Sequence, residues 1–263
     1  MSYDYPATQR QCQQDRAHLQ NCLKSVCGDY LVKEKPELIF RGMFQNLNGI
    51  GVQKDSAKYD DIREIISYYD IDAYMAVETN INWSVVHDRD TIWHKVRGWF
   101  ENQKISATWN RLDTTRNRSQ YGGCMLLLQG ESSTRCRNIN HDFRKIGRWT
   151  SVKMIGKDGI STRLVTVYVP HHHSAGLQTV YSQQSKALTS LQIYSDPISV
   201  FWEDFWSTID EWLDEGDRLI IAGDWNQDIS NLTFLQPFRD RGLFPILSSI
   251  HTTHPPSTTK GST

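Results

Sequence analysis

Four strand-like runs crowd into the middle of the chain: ISATWN (105–110), GGCMLLLQ (122–129), RWTSVKMI (148–155) and STRLVTVYVP (161–170). Each is short, carries large or β-branched apolar residues, and is bounded by turn formers. The last two are separated only by GKDG, a connection suited to antiparallel neighbours. The block reads as an antiparallel meander.

Before it, strand and helix signals alternate. LIFRGMFQNLNGIG (38–51) is a first strand breaking into an Asn/Gly turn, and a helix from about Ser56 sets Tyr59, Ile62, Ile65, Ile66 and Tyr69 on one face. IDAYMAVETN (71–80) is a short apolar strand ending in a carboxylate, and Trp93, Val96 and Phe100 are spaced for a second helix. After the block come a polar helix from about Thr179 to Leu191 and an aromatic one with Phe201, Phe205, Ile209 and Trp212 at helical spacing, which reads as core. DRLIIAGDWN (217–226) is then a strand broken by Gly223 before Asp224, and a short helix follows from Leu232 to Arg241. No internal repeat is present. The order predicts an α/β domain over residues 38–263, preceded by a polar arm, 1–37, with weak helical spacing at Leu19, Leu23 and Val26 that Lys33, Lys35 and Pro36 interrupt.

A chain of 263 residues suffices for one such domain. No apolar run approaches the roughly 20 residues that cross a bilayer, and MSYDYPATQRQCQQD lacks the charged-then-apolar order of a signal peptide. The expectation is a soluble, non-secreted protein of the nucleus or cytoplasm with no membrane partner. Five cysteines without a C-x-x-C pair point to reduced thiols and away from zinc. Net charge is −1, yet between Arg111 and Arg148 eight cations face only Asp113, Glu131 and Asp142. Such a run is a solvated face, unless it borders a site that handles phosphate.

Apparent strand ends deliver Asn46 with Asn48, Glu78, Tyr168, and Asp224 with Asn226. Carboxylates and amides at the ends of buried strands are held rigidly with their oxygens toward a cleft, which suits a hard cation and its waters. A phenol at a strand end can donate to a phosphate oxygen or help deprotonate a nucleophile. Each also has a plain structural reading: Asn46 and Asn48 as turn residues, Glu78 as a solvated carboxylate, Asp224 as a helix cap, Tyr168 as core.

Taken in order, QNLNG, VETN, YGGCMLLL, VYVP and GDWN resemble the successive motifs of the endonuclease/exonuclease/phosphatase superfamily over about Ile39 to Asn226. The resemblance implies a four-layer α/β sandwich, two packed and mostly antiparallel sheets flanked by helices, and Mg²⁺-dependent hydrolysis of a phosphodiester, with Mn²⁺ as the alternative ion. It implies that Glu78 and Asn46 serve the metal and that Asp224, Asn226 and Tyr168 are catalytic. Asn48, His171, Arg116 and Arg118 would contact phosphate or nucleic acid. The wording is most similar to the DNA endonuclease domains of non-LTR retrotransposons, so DNA is the implied partner and a monomer or a segment of a larger polyprotein the implied state.

Asn48 and His171 depart from the commonest family residues, and the HHH run 171–173 offers a transition-metal alternative that adjacent loop residues serve poorly. The family's I-D-x-I strand and Ser-Asp-His motif are not found before Thr263, and neither His251 nor His254 follows Ser-Asp. The expectation is therefore a domain lacking its C-terminal strands, with weak ion binding and slowed cleavage. A catalytically silent nucleic-acid-binding domain, or a relative acting on RNA or phospholipid, is the alternative.

Overall fold

A computed structural model describes residues 34–52, 57–156, 159–171, 179–229 and 231–246. Most of the predicted arm, His172 and His173, and His251 and His254 lie outside the described residues. The chain divides into two compact units, one of them Val32–Gln227. That unit holds β1 (Gly42–Asn46), α1 (Ala57–Tyr68), β2 (Ala73–Val77), α2 (Ile92–Lys95), β3 (Gln103–Thr108), β4 (Cys124–Gln129), α3 (Gly130–Thr134), β5 (Cys136–His141), β6 (Trp149–Ile155), β7 (Ser161–Tyr168), α4 (Val180–Ser190), α5 (Pro197–Asp214) and β8 (Arg218–Asp224). The other contains α6 (Leu232–Arg239), whose first turn is capped by Asn231 accepting from the Thr233 N–H and whose Leu235 and Phe238 are buried.

The strands form two four-stranded sheets, ordered β1-β2-β4-β3 and β5-β6-β7-β8. Four of the six pairings are antiparallel; β1 with β2 and β7 with β8 run parallel. The central block is therefore two hairpins in two sheets, not one meander. Its sequence shows why: β4 is buried on both faces, so it needs cover above and below. Ala73, Met75, Leu126 and Leu128 of the first sheet meet Val152, Met154 and Leu164 of the second. Alternate residues Tyr74, Ala76 and Leu127 point the other way, onto Tyr59, Ile62 and Ile66 of α1.

On the outer face of the second sheet, Trp149 meets Phe201 and Phe205 of α5 edge-on at 5.7 and 5.6 Å. Asp196 caps α5 by accepting from the Ser199 N–H, with Pro197 at the first helical position, and the predicted aromatic stripe is buried as core. Helix, sheet, sheet, helix is thus the layer order of Val32–Gln227. The helix predicted through Phe100 is only one turn long, because the chain turns at Gly98, φ 79°. β5 was not legible: its run CRNINH has one aliphatic residue, Ile139, and is a strand by pairing with β6.

The basic segment divides by role. Arg148 is fully buried, donating to Asp142 from Nε at 2.9 Å and Nη2 at 2.7 Å and pairing with Asp204 of α5 at 2.8 Å. Its Nη1 has no hydrogen-bond acceptor among the described residues, but the guanidinium lies 4.5 Å from the Trp149 ring centroid. Arg144 also pairs with Asp204, and Arg135 with Glu131. Arg144 and Arg148 thus tie the β5–β6 connection to α5, while the Arg135 pair is an exposed contact at the end of α3. Arg116 and Arg118 are exposed.

Candidate active site

Parallel pairing does the assembly. Because β1 and β2 run together in the first sheet and β7 and β8 in the second, each pair finishes at the same end, with Asn46 opposite Val77 and Tyr168 opposite Asp224. Open α/β sheets present their sites outside such carboxyl ends. The sheets meet there. Tyr168 packs with Val77 and Cys124 of the first sheet, and the Asn46 Nδ2 donates to Asp224 Oδ2 at 2.9 Å across the two sheets. Asn46 Oδ1 accepts from the Asn48 N–H at 2.9 Å, and Asp224 Oδ1 from the Asn226 N–H at 3.2 Å. Asn226 Nδ2 donates to the Val169 carbonyl at 2.7 Å.

Burial pushes the Tyr168 phenol well above its ordinary value, and the Glu78 carboxylate, through charge and hydrogen bonding, pushes it further. Asp224 adds to the rise and Asn226 opposes it, so all three lie within electrostatic reach of one hydroxyl. The consequence is chemical. A phenol held protonated between carboxylates is a hydrogen-bond donor and is unsuited to act as a base.

Asn48, Glu78, Asn80 and Asn226 all have left-handed backbones, with φ of 45°, 54°, 57° and 49°. Asparagine tolerates this region; glutamate rarely enters it, at a strain of roughly 1–3 kcal/mol. The turn is enforced from both sides. Leu47 N–H donates to the Val77 carbonyl and Gly49 N–H to the Glu78 carbonyl, at 3.0 and 2.8 Å, while Asn80 exchanges bonds with Gly122. A Cβ on Gly123 would lie 2.6 Å from Thr79 Oγ1, and one on Gly223 2.8 Å from the Val167 carbonyl oxygen, so the glycines of YGGC and GDWN permit close strand contact beside the site.

Arg118 lies beside Asn82. Its carbonyl accepts from the Asn82 N–H at 2.9 Å, and Ser119 bridges to Ile81, which brings the Arg116–Arg118 loop alongside the chain leaving Glu78. His171 is exposed, two residues past Val169. The sequence did not single out Lys58, whose Nζ donates to the carbonyls of Leu47 and Gly49 at 2.8 and 2.6 Å and so clamps the loop carrying Asn48. A lysine opening a helix, against the dipole preference, was its only signal.

The Glu78 carboxylate and the Asn46 amide oxygen, which keeps a free lone pair, are oxygen donors of the kind that fits a hard cation such as Mg²⁺. No group of three His, Cys, Asp or Glu side chains suited to a metal ion occurs among the described residues, so most of the coordination shell of such an ion would be water. Among the described residues no helix is long and apolar enough to cross a membrane, and Cys124 and Cys136 are free thiols.

No family model matches the chain, and no curated protein does. Similar solved structures include AP endonuclease LMAP from Leishmania major, at 16% identity and TM-score 0.48 over 70% of this chain and 54% of that one. An endonuclease/exonuclease/phosphatase family protein from Leptotrichia buccalis is similar at 10% identity and TM-score 0.46, covering 78% and 76%. The human Nocturnin catalytic domain with bound sulfate is similar at 14% identity and TM-score 0.42, covering 76% and 68%. The likeness is one of fold.

Proposed function

We propose that the chain is a Mg²⁺-dependent phosphodiesterase of the endonuclease/exonuclease/phosphatase type that cuts DNA internally, as retrotransposon endonuclease domains do. The supporting observation is the meeting of Asn46, Glu78, Tyr168, Asp224 and Asn226 at the ends of two parallel strand pairs, with Glu78 held in a strained turn.

Glu78 and Asn46 would hold the ion, which when bound neutralises charge developing on the phosphate. Asp224, already oriented by the Asn46 amide and the Asn226 N–H, keeps lone pairs with which to align the attacking water and accept its proton. Tyr168, kept protonated, donates to a non-bridging phosphate oxygen; such a preorganised donor contributes roughly 10²–10³ in rate. Asn226 steadies the water or a phosphate oxygen through the part of its amide not given to Val169. Arg116 and Arg118 pair with flanking phosphates, with Asn48 and His171 completing the rim.

Parallel assays on supercoiled plasmid, an RNA oligonucleotide and sphingomyelin vesicles test the substrate. The expected result is Mg²⁺-dependent nicking of plasmid above any action on the others. Preferential cleavage of RNA or lipid would reassign the substrate, and DNA binding without cleavage of any of them would mark a silent domain.

A further inference from the structure

Trp225 stands between Asp224 and Asn226, and its ring lies in a stack. It is 6.0 Å from Trp202 of α5 with the planes 13° apart, and Trp202 is in turn 5.4 Å from Trp206 with 20° between planes. Phe205 closes the edge of Trp225 at 6.1 Å and 66°. The helix presenting these rings is itself fixed: Asp204 takes ion pairs from Arg144 and Arg148, and Phe201 and Phe205 lock against Trp149. A residue in the left-handed region follows directly, Asn226 at φ 49°, and its amide donates to the Val169 carbonyl. Below the turn the Gly223 approach to Val167 limits movement, and above it the rings do.

We propose that the Trp206–Trp202–Trp225 stack sets the positions of Asp224 and Asn226, which makes Trp202 a positioning residue for a reaction in which it contacts no reacting atom. The catalytic half of this claim rests on the phosphodiesterase reading above; the geometric half does not. Shortening Trp202 to an aliphatic side chain removes the flat surface on which Trp225 rests, and the Asp224–Asn226 turn then samples other positions. Displacements of about 1 Å at a hydrolytic site slow the chemistry by up to about 100-fold.

The test uses the full chain, uniformly ¹⁵N-labelled, as Trp202→Leu, Trp202→Phe and Ile209→Ala. Ile209 is buried in the same helix and outside the stack, so its variant controls for lost stability. The readouts are solvent exchange of the Asn226 side-chain amide and the kcat and KM for bis(p-nitrophenyl) phosphate with MgCl2. Trp202→Leu should release the Asn226 amide to exchange and lower kcat by about 10- to 100-fold with KM unchanged. Trp202→Phe should restore both, and Ile209→Ala should lower the melting temperature while moving neither. If Trp202→Leu does not fold, Trp206→Leu, which removes the ring stacked on Trp202, should give the same changes in smaller degree. An Asn226 amide as protected in Trp202→Leu as in wild type, or an equal response in Ile209→Ala, would overturn the proposal. Absence of any hydrolysis by wild type would count against the phosphodiesterase reading instead, and the amide readout alone would then decide the positioning claim.

Discussion

Replacing Arg148 by methionine separates a structural cation from a substrate-binding one. The side chain is fully buried, and its removal strips two charge-assisted bonds from Asp142 and one ion pair from Asp204. Asp142 keeps the N–H groups of Arg144 and Ile146 at 3.0 and 3.2 Å, but its charge is 1% exposed and loses its balancing guanidinium; Asp204 keeps only Arg144. Breaking a buried ion pair from one side costs about 3–5 kcal/mol. At about 2–4 °C per kcal/mol for a domain of this size, melting should fall by roughly 6–20 °C. Thermal and urea unfolding followed by circular dichroism measure this. Asp142→Asn combined with Arg148→Met should lose less than the sum of the single changes, because the stranded charge is then gone. A loss below about 0.5 kcal/mol, with weaker DNA binding, would refute the reasoning and return Arg148 to the solvated surface.

Three further outcomes follow from the geometry. Glu78→Gly should raise the melting temperature by relieving the left-handed backbone, worth about 0.5–1 kcal/mol, while abolishing cleavage; calorimetry beside a nicking assay checks both. Gly223→Ala should destabilise by about 1–3 kcal/mol and depress activity, since its Cβ would press on Val167 at 2.8–3.0 Å. Burial raises the phenols of Tyr59, Tyr74 and Tyr168, the last with help from Glu78, so the folded protein binds more protons than the unfolded chain once pH exceeds the ordinary tyrosine value of about 10. Stability from these groups is whole below that pH and is lost above it, so denaturant midpoints should fall on alkaline titration, with three phenols ionising late at 295 nm.

How much was legible depended on whether the signal was local. The helix of Tyr59, Ile62 and Ile66, the aromatic stripe of α5 and the strand before Asp224 each carry their period in consecutive residues, and all were read correctly. The strand order could not be read, because apolar runs such as MLLL and LVTV do not say which sheet they join. The site motifs were local too, but the bond from Asn46 to Asp224 spans the chain and exists only because two parallel pairs end together. In the basic segment the sequence registered charge but not partners. Asp142 and Asp204 were ordinary acids until the fold buried them against Arg148.

Glu78 and Asp224 are proposed to serve one hydrolytic centre. Supercoiled plasmid incubated with the chain, with Glu78→Gln and with Asp224→Ala, each in MgCl2 and in EDTA, tests it most directly. Nicking is expected from the unsubstituted chain in MgCl2 alone, abolished by Asp224→Ala and lowered at least about 100-fold by Glu78→Gln, with all three chains equally folded. Nicking that survives EDTA, or that Asp224→Ala leaves undiminished, would contradict it.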